Sequence, residues 1–80
     1  MDTQAILQEL NPLFREILKK DEIRLTEETT ANDIDGWDSL TNMRLITAIE
    51  KHYQIRFGLR EIIKFKHVGD LCLSIQNKTK

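Results

Sequence analysis

Cysteine is nearly absent from this chain. Cys72 stands alone, so no disulfide can staple the chain from within, and a reducing compartment suits it. Proline occurs once, at Pro12, and no repeat, low-complexity tract or Gly/Ser-rich linker divides the sequence. The 80 residues therefore read as a single domain, with nothing left over for a second. The three glycines, Gly36, Gly58 and Gly69, lie too far apart to make a phosphate-cradling loop. No apolar run approaches the ~20 residues of a membrane span, and no basic-then-apolar leader opens the chain. A soluble, cytoplasmic protein without membrane insertion is expected. His52 and His67 stand apart, with no second His or Cys at ligand spacing, so no metal site is expected. Ser39, Asp38 and either histidine could be drawn as a hydrolytic triad, but a nucleophile elbow and room for a substrate cleft are lacking. Catalysis by this chain alone is not expected.

Charge of one sign is not in excess: 12 Lys and Arg face 13 Asp and Glu, for a formal net charge of -1. The two signs are separated along the chain, however. Asp21, Glu22, Glu27, Glu28, Asp33, Asp35 and Asp38 are opposed only by Arg24, whereas Arg56, Arg60, Lys64, Lys66, Lys78 and Lys80 face Glu61 and Asp70. The basic end has no interleaved aromatics of the kind that stack bases. It reads as a solvated face balancing an acidic loop, and nucleic acid is not an expected partner.

Apolar periodicity places four helices. The first covers residues 3–20, with Ile6, Leu7, Leu10, Phe14, Ile17 and Leu18 on one face and Asp2 or Thr3 as its cap. Pro12 removes one hydrogen bond and crowds the carbonyl of Gln8, so a kink is expected near residues 9–11, in a helix that its uninterrupted apolar stripe carries past the proline. A long loop, residues 21–38, is pegged by Ile23, Leu25, Ile34 and Trp37, and a loop of that length is functional or carries a helical turn. The second helix covers residues 39–53, its stripe formed by Leu40, Met43, Ile46, Ile49 and Tyr53 and widened by Leu45 and Ala48. An extended connector, residues 55–58, leads to a short third helix over residues 59–64, to which Leu59, Ile62 and Ile63 contribute, with Phe65 just beyond it as a further candidate. It must rely on tertiary contacts. The fourth helix covers residues 68–77, with Val68, Leu71, Cys72 and Ile75 inward and Gly69 weakening its first turn. Cys72 reads as a small core residue rather than a reactive thiol. The fold class is all-α: a small bundle of three main helices and one short one, with a long first connection.

One residue stands out. Ser39 follows Gly36, Trp37 and Asp38 where the acidic loop gives way to the second helix. A helix start offers unpaired backbone N–H groups and the positive end of the macrodipole, so an anionic adduct placed there is held electrostatically. Asp38 is the cap candidate, which leaves Ser39 at the first helical position.

The same residues carry a family resemblance. Asp38-Ser39-Leu40, then Met43, Ile46 and Ile49, the charged run Glu50-Lys51-His52-Tyr53, the connector residues Ile55 and Phe57, and Val68-Gly69-Asp70-Leu71 together resemble the acyl carrier proteins. The likeness is close over about the last 45 residues and holds by pattern alone for the first helix. It implies that Ser39 is esterified by 4′-phosphopantetheine, transferred from coenzyme A by a separate phosphopantetheinyl transferase. The arm's thiol then carries acyl groups as thioesters between acyl-loading and acyl-transferring enzymes. It also implies that Asp38 caps the helix and orients the serine toward the transferase and its metal ion. Leu40 and Met43 become apolar partner contacts, with Arg44 beside them on the same helix. Phe57 and Ile62 are expected near the arm's base or lining a cleft for a short acyl chain. Members serving fatty acid synthesis carry a strongly acidic second helix read by basic enzyme patches. Here that helix holds Thr41, Arg44 and Lys51, with Glu50 its only carboxylate. The chain is therefore more similar to stand-alone carriers of specialised pathways, such as polyketide-like metabolites and surface polysaccharides. A monomer is expected. An aminoacyl or peptidyl carrier, or an unmodified helical interaction module, are the alternatives.

Overall fold

A computed structural model describes residues 2–79. Among them the chain forms α1 (Thr3–Leu18), a single 3₁₀ turn (Ala31–Asp33), α2 (Ser39–Tyr53), α3 (Leu59–Lys64) and α4 (Val68–Lys78), with no strand. The all-α expectation holds, and each helix lies within two residues of its expected bounds.

Helix α1 is the central column, packing against both α2 and α4. Its Ile6, Leu7, Leu10, Phe14 and Leu18 are buried at helical spacing, and Asp2 caps it by accepting the Ala5 N–H at 2.8 Å. One helix runs through Pro12, as its unbroken apolar stripe predicts. The ring is exposed, so both the missing N–H and the crowding fall on the water side, where they cost least. The helix stops two residues early because Lys19 turns left-handed at φ 58°, letting the Lys20 N–H reach back to the Arg15 carbonyl.

The 20-residue stretch between α1 and α2 is tied down at both ends. Ile23 and Leu25 are buried. Asn11 on α1 accepts the Leu25 N–H at 2.8 Å, and Arg15 donates to the Ile23 carbonyl at 2.8 Å. At the far side the Val68 and Gly69 N–H groups, unsatisfied within α4 because they open it, donate to the Thr29 and Glu27 carbonyls at 2.9 and 2.8 Å. Gly69 thus has a positive role that helix propensity hides. A β-carbon there would stand 2.9 Å from the Glu27 carbonyl oxygen. Gly69→Ala is expected to push the loop off α4 and lower stability by about 1–3 kcal/mol, read by urea unfolding, although alanine is the better helix former.

Helix α3 differs from expectation. Leu59 and Ile63 are 75% and 72% exposed, and only Ile62 and Phe65 turn toward the core. Polar contacts hold this short element instead. The Glu61 carboxylate accepts from the Gly58 N–H at 2.9 Å and the Ser74 hydroxyl at 3.0 Å, and it pairs with Lys78 at 3.0 Å. The Gly58 N–H first, then the Lys78 ammonium, hold the Glu61 carboxyl at about 2. Because this value lies below the ordinary 4.5, the ionised group stabilises the fold fully above pH 4.5. That contribution fades as pH falls through about 2. Acidification across this window is expected to release α3 from α4, seen as collapse of Gly58 amide protection in hydrogen exchange. Glu61→Gln is expected to flatten the pH dependence.

Candidate functional site

The start of α2 is built by reciprocal capping. One Asp38 carboxylate oxygen, Oδ1, accepts from the Leu40 N–H at 3.0 Å and the Thr41 N–H at 2.9 Å. Thr41 Oγ1 in turn accepts the Asp38 N–H at 2.8 Å and donates to the Gly36 carbonyl at 2.7 Å. Gly36 sits at φ +87°, a backbone conformation that suits glycine, and this turns the loop into the helix. The Thr41 N–H is the foremost of the donors that hold the Asp38 carboxyl below its usual range, so it stays ionised.

With Asp38 as the cap, Ser39 occupies the first helical position, as its spacing predicts. Its side chain is exposed, and no described residue hydrogen-bonds its hydroxyl. Trp37, immediately before the cap, is held on both sides. Its indole N–H donates to Asn42 Oδ1 at 3.0 Å, and its ring meets Phe14 edge-on at 5.0 Å. The expected role of Trp37 as the anchor of this loop is therefore realised, with Phe14 of α1 as its partner.

Beside Ser39 the structure opens a cavity of about 260 Å³. Buried Phe14, Leu45, Ile46, Ile49, Val68 and Leu71 form its floor, while exposed Ala31, Asp38, Ser39, Lys66 and His67 form its rim. Trp37, Asn42 and Phe65 complete the wall. The serine hydroxyl thus stands where a polar, anion-tolerant helix start meets an apolar recess.

Two expected site residues lie elsewhere. Phe57 is buried rather than presented to partners, and neither it nor Ile62 lines the cavity. The Phe57 N–H donates to Glu50 at 2.9 Å, near the end of α2 opposite Ser39 and about 16 Å along the axis from it. Its ring packs edge-on against Phe65 at 5.4 Å, with the Lys78 ammonium 5.7 Å from the ring centroid. Ile62 packs half-buried against the core. Gln54 ends α2 left-handed at φ 56°, and in the connector that follows Phe57 is buried and Ile55 packs half-buried against the core. The cavity takes Phe65, Lys66 and His67 from the turn before α4 instead. The sequence marked Phe65 as apolar and His67 as an unusual residue for a helix cap, but gave neither a place at the serine. His67 does not cap α4 with its side chain. Asp70 reaches back instead, accepting the Lys66 and His67 N–H groups at 3.0 and 3.2 Å.

Leu40, Met43 and Arg44 do not line the cavity but sit on the outer side of α2, all exposed. Leu40 and Met43 therefore leave the inward stripe to Leu45, Ile46 and Ile49. Among the described residues no cluster of three or more His, Cys, Asp or Glu side chains could hold a metal ion. No described helix is long and apolar enough to cross a membrane.

The fold and its serine-headed second helix define a small helical carrier domain. Residues 8–75 match the family described as the phosphopantetheine attachment site, and the chain belongs to that family. It is similar to the acyl carrier protein homolog of Mycoplasmopsis pulmonis (strain UAB CTIP), at 28% identity over 68 residues, spanning 85% of this chain and 92% of the relative. The solution NMR structure of the holo acyl carrier protein from Geobacter metallireducens superposes with a TM-score of 0.86. The two chains are 51% identical, over 90% of this chain and 83% of that one. The prosthetic group that the family and the holo neighbour indicate is phosphopantetheine.

Proposed function

We propose that this chain is an acyl carrier, its 80 residues one domain, with phosphopantetheine esterified to the hydroxyl of Ser39. The observation that carries the reading is the freedom of that hydroxyl. Asp38 supplies the helix cap, so Ser39 is exposed at the first position of α2 without a structural duty of its own. The helix dipole favours a phosphodiester there, and Lys66 adds a cation to the same cavity rim. When bound, the arm supplies a thiol that carries an acyl group as a thioester. The chain's own residues fix where that arm begins. Asp38, Thr41 and Gly36 hold the serine on a rigid helix end, and Trp37 pins the loop that leads into it.

The partners on this reading are a phosphopantetheinyl transferase and the enzymes that load and receive the acyl group. Leu40, Met43 and Arg44 contribute the contact surface, and a monomer in the cytoplasm is the working form. The pathway we assign is a specialised one, of a polyketide-like metabolite or surface polysaccharide, because α2 lacks the acidic face of fatty-acid-synthesis carriers.

The experiment is intact-protein mass spectrometry after incubation with coenzyme A and a broad-specificity phosphopantetheinyl transferase. A gain of one phosphopantetheinyl group, mapped to the peptide containing Ser39, is expected. Thiol titration gives a second readout. Cys72 is fully buried and burial pushes its thiol up to about 11, so loading is expected to take the native protein from no accessible thiol to one. No gain with several transferases would leave an unmodified helical module.

A further inference from the structure

Helix α2 carries two faces suited to contact, and the bundle uses one. Leu45, Ile46 and Ile49 are buried, whereas Leu40, Met43, Arg44, Thr47, Ala48 and Lys51 line a shallow groove on the outside. These six recur at spacings of three and four, so they make one continuous stripe, and it begins one residue after Ser39. Leu40 is 68% exposed and Met43 52%, large apolar side chains that nothing in the chain covers. An enzyme working on a group attached to Ser39 must come down beside this stripe, since Arg44 lies only about 8 Å along the helix axis.

The charge of the stripe is of one sign. The lone carboxylate of α2, Glu50, is half-buried and occupied by the Phe57 N–H at 2.9 Å. Arg44 and Lys51 are exposed, and neither has an ion-pair or hydrogen-bond partner among the described residues. Unpaired cations around an exposed apolar pair are the composition of an interface edge and its core. On the other side of Ser39 the sign reverses, with exposed Asp33, Asp35 and Asp38. A nucleic acid or an anionic membrane, negative throughout, would be repelled by that side. Pairing with a second copy through this face would crowd the serine that must stay open. An enzyme surface can meet both signs.

We infer that the outer face of α2 docks an enzyme whose carrier-binding surface presents carboxylates to Arg44 and Lys51 around an apolar side chain seated between Leu40 and Met43. The inference rests on the carrier reading and adds the chemistry of the partner, opposite in sign to a basic docking patch. Complementary charge acts mainly on encounter rate and partner choice, so its signature is a salt-sensitive difference between partners.

The test uses the full chain and two phosphopantetheinyl transferases of known structure, one with an acidic carrier-docking face and one with a basic face. Loading kinetics are measured for wild type, Arg44→Glu/Lys51→Glu and Arg44→Ala/Lys51→Ala, with circular dichroism verifying each fold. With the acidic-faced transferase the double reversal is expected to lower kcat/KM by about tenfold, mostly through KM. With the basic-faced transferase it is expected to raise kcat/KM by about as much. Both differences should shrink toward unity at about 0.5 M salt, and the alanine pair should fall between. Rates within about twofold of wild type for both transferases would overturn the docking surface while leaving the carrier reading intact. Wild type that accepts no arm from either transferase at stoichiometric enzyme would overturn the carrier reading and this inference with it. A wild-type dimer in sedimentation that the double reversal dissociates would assign the face to a second copy and overturn the enzyme as occupant.

Discussion

Ser39→Ala is expected to take up no phosphopantetheine under conditions that load wild type to completion, while unfolding at the same urea concentration. The two halves of this expectation come from different atoms. Loading needs the hydroxyl oxygen as the attachment point, and alanine has none. Stability needs the acceptor that caps α2, and that acceptor is the Asp38 carboxylate, which holds the Leu40 and Thr41 N–H groups at 3.0 and 2.9 Å. Removing a solvent-exposed hydroxyl with no partner at a helix start should change stability by no more than about 0.5 kcal/mol. Had Ser39 been the cap, the same change would cost about 0.5–2 kcal/mol. The measurement pairs intact mass with urea unfolding on one preparation. An alanine variant that still gains the mass would move the attachment to another hydroxyl. One that fails to load because it has unfolded would return Ser39 to a structural role.

The sequence was legible where a local rule decides the outcome. The four helices follow from apolar spacing, and Asp38 as cap follows from an acidic side chain one residue before an apolar-periodic run. Cys72 inward and Trp37 as a peg follow from size and hydrophobicity. It was illegible where the answer depends on what a residue meets across space. Gly69 is needed because a loop carbonyl from Glu27 lies against it. Leu59 and Ile63 match the helical pattern but face solvent, since α3 is held by the Glu61 contacts instead of by burial. Phe57 shows the sharpest gap. The resemblance expects it at the arm's base or in a cleft, yet it is buried against Phe65 and its N–H is held by Glu50. Motif spacing fixes order along the chain, whereas the site is assembled by what each side chain meets across space.

The largest stability loss is expected from Phe14→Ala. Phe14 is fully buried, lies on the central helix, forms part of the cavity floor and packs perpendicular to Trp37 with ring centroids 5.0 Å apart. Truncating a buried phenylalanine to alanine costs about 3–5 kcal/mol, the higher figures arising where the surroundings cannot collapse into the space. Here the existing recess of about 260 Å³ adjoins the site, so relaxation toward it would only enlarge a gap. An 80-residue domain has about 4–12 kcal/mol of total stability, so this one change should consume a large share. The expected fall in melting temperature exceeds about 12 °C. Trp37 is the chain's single tryptophan, which makes its fluorescence a local reporter. Loss of the Phe14 ring should free the indole from its wall and red-shift its emission in the native baseline, before global unfolding begins. Phe14→Leu, which keeps most of the volume, is expected to recover most of the stability but not the tryptophan environment, because the ring contact is aromatic. A melting temperature unchanged within about 4 °C for the alanine variant would mean that α1 does not pack through Phe14. The wall between the central helix and the serine-bearing loop would then have to be redrawn.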